Sequence, residues 1–148
     1  VSSQHDLPPG FGAKVRDTCF CFHVQRAARA VARHFDEALR PVGLTNGQFS
    51  LMISLNRGEA RRLGAISTAL AMDRTTLTAN LKPLVRRGLV RVSVDETDRR
   101  IRLLTLTSAG RRLLVAAVPL WTRAQAETAR LVAASGPDRV LADLRALS

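Results

Sequence analysis

The block from Asp73 to Gly88 constrains this chain more than any other part of it. At about 100° per residue, Leu77, Leu81, Leu84 and Val85 fall within one arc of a helix. Thr75, Ala79, Lys82 and Arg86 fall roughly opposite, with Arg74, Thr76 and Thr78 on the flanks. Asp73 is a good N-cap and Gly88 a natural stop just past the last turn. Pro83 removes one backbone donor, yet the apolar register runs through it unbroken. Such a helix must dock its leucine arc on a core and leave a face of short hydroxyls and cations free.

Two alternating segments follow directly. Leu89–Val94 and Ile101–Thr107 have the two-residue period of half-buried strands, and Asp95–Arg100 joins them as a hairpin turn. Leu104 and Leu106 are expected to face the helices, and Arg99 and Arg100 to lie at or next to the tip. Arg102 follows on the second strand. A helix with a free polar face beside an arginine-rich hairpin has the parts needed to hold a duplex. Threonine at the helix start suits base edges or a thymine methyl, and Lys82 and Arg86 suit phosphates. A tip arginine can enter a narrow minor groove. Asp98 is positioned to orient one of these arginines through a salt bridge. The candidate DNA contacts are therefore Arg74, Thr75, Thr76, Thr78, Lys82, Arg86, Arg99, Arg100 and Arg102.

Charge supports a polyanionic partner. The net charge is +11, and 21 of the 23 cationic side chains are arginines. From Arg57 to Arg112 alone the balance is +8, most of the total. Concentration in one third of the chain points to a binding face rather than to a uniformly solvated surface. Arginine's planar fork matches phosphates and the guanine edge.

The remaining pattern is helical. Residues 1–13 form a polar arm with Pro8-Pro9. From Lys14 to Arg40, Phe20, Val24, Ala27, Ala28, Val31, Phe35, Ala38 and Leu39 recur at three- and four-residue steps, and Val15, Cys19 and Phe22 widen the stripe. A helix apolar on more than one side calls for a subunit interface. Pro41-Val-Gly-Leu44 ends it. Thr45, with Gln48 three residues later, makes a capping box for a helix over Asn46–Asn56, with Phe49, Met52, Ile53 and Leu55 inward. After a turn at 57–61, a short helix spans Leu63–Ala71 with Leu63, Ile66 and Leu70 inward. Thr107-Ser108 caps a long helix to about Ala133, in which Pro119 predicts a kink or break near 115–119. Ser135-Gly-Pro-Asp138 separates it from a last helix, Arg139–Leu147.

Leu70-Ala-Met-Asp-Arg-Thr-Thr-Leu77, Leu84-Val-Arg-Arg-Gly-Leu-Val90 and Asp98-Arg-Arg-Ile-Arg-Leu-Leu-Thr-Leu-Thr-Ser-Ala-Gly110 together resemble the MarR family of multiple-antibiotic-resistance regulators. In that family's wing pattern, D-x-R-x-x-x-L-x-L-T-x-x-G, Asp98, Arg100, Leu104, Leu106, Thr107 and Gly110 match each fixed place. Thr97 departs from it, standing where many members place an arginine. The resemblance implies a mainly α fold with a small β-hairpin wing (α+β): a winged helix-turn-helix with N- and C-terminal dimerisation helices. Residues 14–148 would form a single domain, with 14–44 and 108–148 dimerising and 45–107 binding DNA. The implied function is a homodimeric, sequence-specific regulator of transcription on a pseudo-palindromic operator, a repressor released by a small aromatic or phenolic effector.

Two alternatives stay open: a nonspecific architectural nucleic-acid binder, and a redox-sensing regulator of the same fold using Cys19 or Cys21. The second draws on a further resemblance of Cys21–Arg29 to the organic-hydroperoxide-sensing branch of the family, whose tyrosines this chain lacks. His23, Arg26 and Trp121 are placed where an effector's polar and stacking contacts would fall. Cys19 and His23 stand four residues apart, but four zinc ligands are not at hand. No metal site and no cofactor are expected, and no glycine-rich phosphate loop or nucleophile elbow suggests an enzyme. Two cysteines make no disulfide framework. With no apolar run near the ~20 residues of a membrane span, a cytoplasmic location is expected.

Overall fold

The computed structural model describes residues 6–148. Residues 1–5 of the expected N-terminal arm, including His5, lie outside the described residues. The elements run α1 (Phe11–Thr18), α2 (Phe20–Leu39), a 3₁₀ turn (Arg40–Val42), α3 (Asn46–Leu55), β1 (Arg61–Arg62), α4 (Leu63–Ala69), α5 (Arg74–Arg86), β2 (Val90–Val94), β3 (Arg102–Leu106), α6 (Ser108–Leu131) and α7 (Pro137–Ala146). The three strands form one antiparallel sheet in the order β1-β3-β2, with Arg62 opposite Leu103 and Val92 opposite Leu104. Mainly α with a β-hairpin wing is the fold seen. Among the described residues no helix is long and apolar enough to cross a membrane.

The chain divides into two compact units, one ending at His34 and one over Phe35–Ser148. In the first, helix starts at Phe11 rather than Lys14. The helix expected to run unbroken to Arg40 is interrupted at Cys19, whose backbone is extended (φ −75°, ψ 111°). The carbonyl of Cys19 accepts from the amide of His23, so this residue begins α2 rather than lying within it. Phe11, Val15, Phe20, Phe22, Val24 and Val31 are exposed.

The second unit holds the core. Leu39, Leu51, Met52, Leu55, Ile66, Leu77, Leu84, Leu104 and Leu106 are almost fully buried. Each contributes roughly 1.5–3 kcal/mol by leaving water. Helix α3 runs through the middle, buried at Gln48, Phe49, Leu51, Met52 and Leu55. Leu51 was not among the expected inward residues, because a helix buried on most sides loses its one-sided period. Ile53, expected inward, is 44% exposed and instead lines a cleft against α6. Val85 is also 38% exposed. It stands at the edge of the arc in which Leu77, Leu81 and Leu84 are buried.

Local caps set the boundaries. Thr45 and Gln48 form the capping box of α3, the Thr45 side chain accepting from the Gln48 amide at 3.2 Å. Thr107 Oγ1 accepts from the Gly110 amide at 3.1 Å and donates to the Gly88 carbonyl at 2.7 Å, tying the start of α6 to the start of the wing. Pro119 lies within α6, which continues through it to Leu131, so of the kink or break expected there the break is absent. Helix α7 begins at Pro137, the favoured N1 place for proline.

Candidate nucleic-acid interface

Helix α5 is set by its ends. Asp73 Oδ1 accepts from the Thr76 amide at 2.8 Å, and Asp73 Oδ2 from the Thr76 hydroxyl at 2.8 Å. These bonds, the amide first and the hydroxyl second, hold the Asp73 carboxyl below its ordinary 3.8. At the other end Arg87 donates to the carbonyls of Gly43 (2.6 Å) and Val42 (3.3 Å), which fastens α5 to the turn after α2. Asn80 reaches from the same helix towards α3. Its Oδ1 accepts from the Thr45 hydroxyl at 3.5 Å, and a Cβ on Gly47 would stand 2.9 Å from that oxygen. The glycine is what lets the two helices approach.

With the leucine arc buried, the outward face carries an open cleft of about 460 Å³ lined by Arg74, Thr75, Thr78, Ala79 and Lys82. Four of the expected contacts are thereby brought together on one face. Thr78 Oγ1 donates to the Arg74 carbonyl at 2.7 Å, so its proton is used within the helix while its oxygen can still accept. Thr76 is exposed, but its hydroxyl is engaged in capping. Arg86 is exposed one turn beyond the cleft, in the last turn of α5.

The wing turn is built on carboxylates. Asp95 Oδ1 accepts from the amides of Thr97 (2.9 Å) and Asp98 (3.0 Å) and from the Thr97 hydroxyl. The hydroxyl lowers the Asp95 carboxyl most, followed by the two amides. Thr97, the departure from the wing pattern, thus closes the turn. Asp98 takes Arg100 in a forked pair, Nε at 3.1 Å and Nη2 at 3.2 Å, and also accepts from the Arg100 amide at 3.0 Å. The Arg100 side chain and then its amide hold Asp98 low. This is the expected orienting pair. Arg100 stays 92% exposed, so the pair contributes little stability. Arg99 is exposed beside Val94, Asp95 and Glu96.

Sequence reading missed Arg62. Together with Arg74, Arg100 and Arg102 it lines a second cleft, of about 320 Å³, between the wing and the start of α5. A strand as short as β1 has no periodicity to detect; only its pairing with β3 places the residue there.

Of the proposed effector residues, Trp121 is half-buried and stacks on Phe49, with ring centroids 6.2 Å apart and an interplanar angle of 18°. The two line a cleft of about 470 Å³ with Ser50, Ile53, Ser54, Leu70 and Val118. His23 and Arg26 are exposed on α2 in the other unit. Cys19 is half-buried and Cys21 exposed, both as free thiols, and Gln25 Nε2 donates to Cys21 Sγ at 3.2 Å. No group of three or more potential metal ligands occurs among the described residues.

A sequence profile of the MarR family matches residues 44–101, the span from the α3 cap to the wing. The solved structure of the M. tuberculosis transcriptional regulator MosR in complex with DNA is 39% identical. The match covers 88% of this chain and 93% of that one, with a TM-score of 0.79. BpsR of Bordetella bronchiseptica, whose structure concerns regulation of DNA binding by 6-hydroxynicotinic acid, is 27% identical over 86% of this chain and 91% of that one, with a TM-score of 0.77. The HTH-type transcriptional regulator TtmR of Methylorubrum extorquens is 35% identical over 97 residues, 66% of this chain and 50% of that protein. The chain spans about half the length of the curated relatives it matches. These relatives are transcriptional regulators, not enzymes.

Proposed function

The chain belongs to the MarR family, and from that premise we propose that it is a sequence-specific, double-stranded DNA-binding regulator of transcription. The observation that carries this reading is the outward face of α5, where Arg74, Thr75, Thr78 and Lys82 converge on one open cleft beside an arginine-bearing wing. Helix α5 lies in the major groove. Thr75 and Thr78 meet base edges, Arg74, Lys82 and Arg86 meet phosphates, and Thr76 holds the helix start. At the wing, Arg99 reaches for the minor groove, and Arg100 and Arg102 flank the backbone. Residues 45–107 form the DNA-binding lobe. The helices of 14–44 and 108–148 make a homodimer on a pseudo-palindromic site, with half-site centres about 34–36 Å apart. Fluorescence anisotropy on DNA from upstream of its own gene, against a scrambled duplex, tests this. Strong preference for the former is expected, and equal affinity would leave only a nonspecific binder.

The protein acts as a repressor that a small aromatic effector releases. Support comes from the largely apolar cleft at Phe49, Ile53, Val118 and Trp121, where two serines supply hydroxyls, and from a relative whose DNA binding is regulated by 6-hydroxynicotinic acid. Trp121 is the only tryptophan, so its fluorescence reports directly on occupancy. A phenolic or heteroaromatic compound that quenches it should also raise the melting temperature and release DNA. Quenching without release would separate the cleft from control of binding.

A second reading, cysteine-based sensing, draws on the exposure of Cys21. Peroxide would then release DNA from the wild type and not from Cys21→Ser; equal release from both counts against it.

A further inference from the structure

We propose that Arg62, Arg74 and Arg102 form a single seat for one backbone phosphate of duplex DNA, in the cleft between wing and reading helix, with Arg100 at its rim. The inference rests on the DNA-binding reading and adds to it Arg62, a residue of neither α5 nor the hairpin.

Three separate elements deliver these side chains. Arg62 ends β1, Arg74 opens α5 and Arg102 opens β3, and the Arg62–Leu103 register of the β1–β3 pair sets Arg62 against the strand that carries Arg102. All four arginines line one cleft of about 320 Å³ whose other lining includes the small residues Gly64 and Ala65. Like charges so gathered repel unless an anion joins them. Of the nearby acids, one neutralises the rim arginine and the other is filled within the wing turn. Asp98 takes two N–H groups of Arg100, and Asp95 is filled by Thr97 and the Asp98 amide. The charge of Arg62 also helps to lower both carboxyls, which places it beside the wing turn. No salt bridge engages Arg62, Arg74 or Arg102 among the described residues.

The chemistry that fits is a phosphodiester. Arginine forks bind its two free oxygens side by side. The position also matches the ligand. A duplex that puts its major groove on α5 and a minor groove on the wing must carry a strand's backbone between them, past this cleft. Inorganic phosphate shares the chemistry, so the test includes it.

The experiment titrates salt into complexes with a mixed-sequence duplex, which reads backbone contacts without requiring an operator. Wild type, Arg62→Ala, Arg62→Gln and the remote control Arg145→Ala are compared by anisotropy. Both Arg62 variants should lower the log–log salt slope by about 0.9, so their affinity deficit shrinks about 3.5-fold between roughly 50 and 200 mM salt. Arg145→Ala should keep the wild-type slope. An unchanged slope for the Arg62 variants, or an equal fall for Arg145→Ala, overturns the seat. In a second arm, inorganic phosphate and sulfate are added to DNA-free protein at matched ionic strength. Thermal stabilisation specific to phosphate in the wild type and absent from Arg62→Ala would reassign the seat to the free anion; no such difference supports the assignment to DNA. A protein without sequence preference would fail as a specific regulator, yet its Arg62 slope would still be readable, because phosphate contacts are blind to sequence.

Discussion

Ala71 has φ +48° in the connection between α4 and α5, the one non-glycine in the left-handed region among the described residues. A Cβ there costs about 1–2 kcal/mol, and Met72 shows what holds it: its amide donates to the Ser67 carbonyl at 3.0 Å, and its carbonyl accepts from the Ser67 hydroxyl at 2.6 Å. Ala71→Gly should relieve the strain but loosen the unfolded chain. A net gain of about 0.5–1 kcal/mol is expected in urea unfolding, and a loss would mean that the turn is not strained. Gly110 has the opposite constraint. A Cβ there would collide with the Leu89 carbonyl and stand 2.7 Å from Leu106 Cδ1. Gly110→Ala should therefore cost about 1–3 kcal/mol in the same assay, and a neutral result would show that α6 can shift. The roles of Asp73, Thr45 and Thr107 were readable in the sequence because a cap and its amide lie within three residues. The Arg87 clamp on Gly43 spans 44 residues, and no local pattern announces it.

At the level of elements, α5 and the hairpin were legible because each carries one buried and one free face, at periods of 3.6 and 2. Helix α3, buried on most sides, and β1, too short to alternate, were legible only in part. The break at Cys19 was hidden because the apolar spacing continues across it. The elements of the reading lobe also share a titration. Asp73, Asp95 and Asp98 all have carboxyls held below 3.8 by hydrogen bonds to the ionised form. A carboxyl lowered on folding stabilises the native state fully above the unfolded value of 3.8 and loses that contribution as pH falls through the lower folded value. The melting temperature should accordingly drop as pH falls from about 5 to below 3.8. Asp95→Asn should start lower and fall less over that interval. A drop as steep as the wild type's would remove Asp95 from the account.

The whole molecule exposes more apolar surface than a monomer needs. Phe20 is 81% exposed and Leu131 86%, and Phe22, Val24 and Val31 on α2 and Leu141, Leu144 and Leu147 at the C-terminal end are open as well. Patches of this kind mark association surfaces. These eight side chains lie outside residues 45–107, and so are separate in sequence from the arginines proposed to contact DNA. That separation gives a prediction with two readouts. If these faces pair two copies, the melting temperature of the wild type should rise with protein concentration, because mass action stabilises the associated state. Phe20→Asp combined with Leu144→Asp should sediment as a monomer while leaving the core leucines and the wing untouched. Its affinity for a duplex carrying both half-sites should fall by about 10²-fold or more, since the second half-site is no longer held at high effective concentration. Its affinity for a single half-site should stay at the wild-type level. A double variant that still sediments as a dimer would show that the subunits meet elsewhere. A monomer that bound the full site as tightly as the wild type would show that one copy suffices to read the operator.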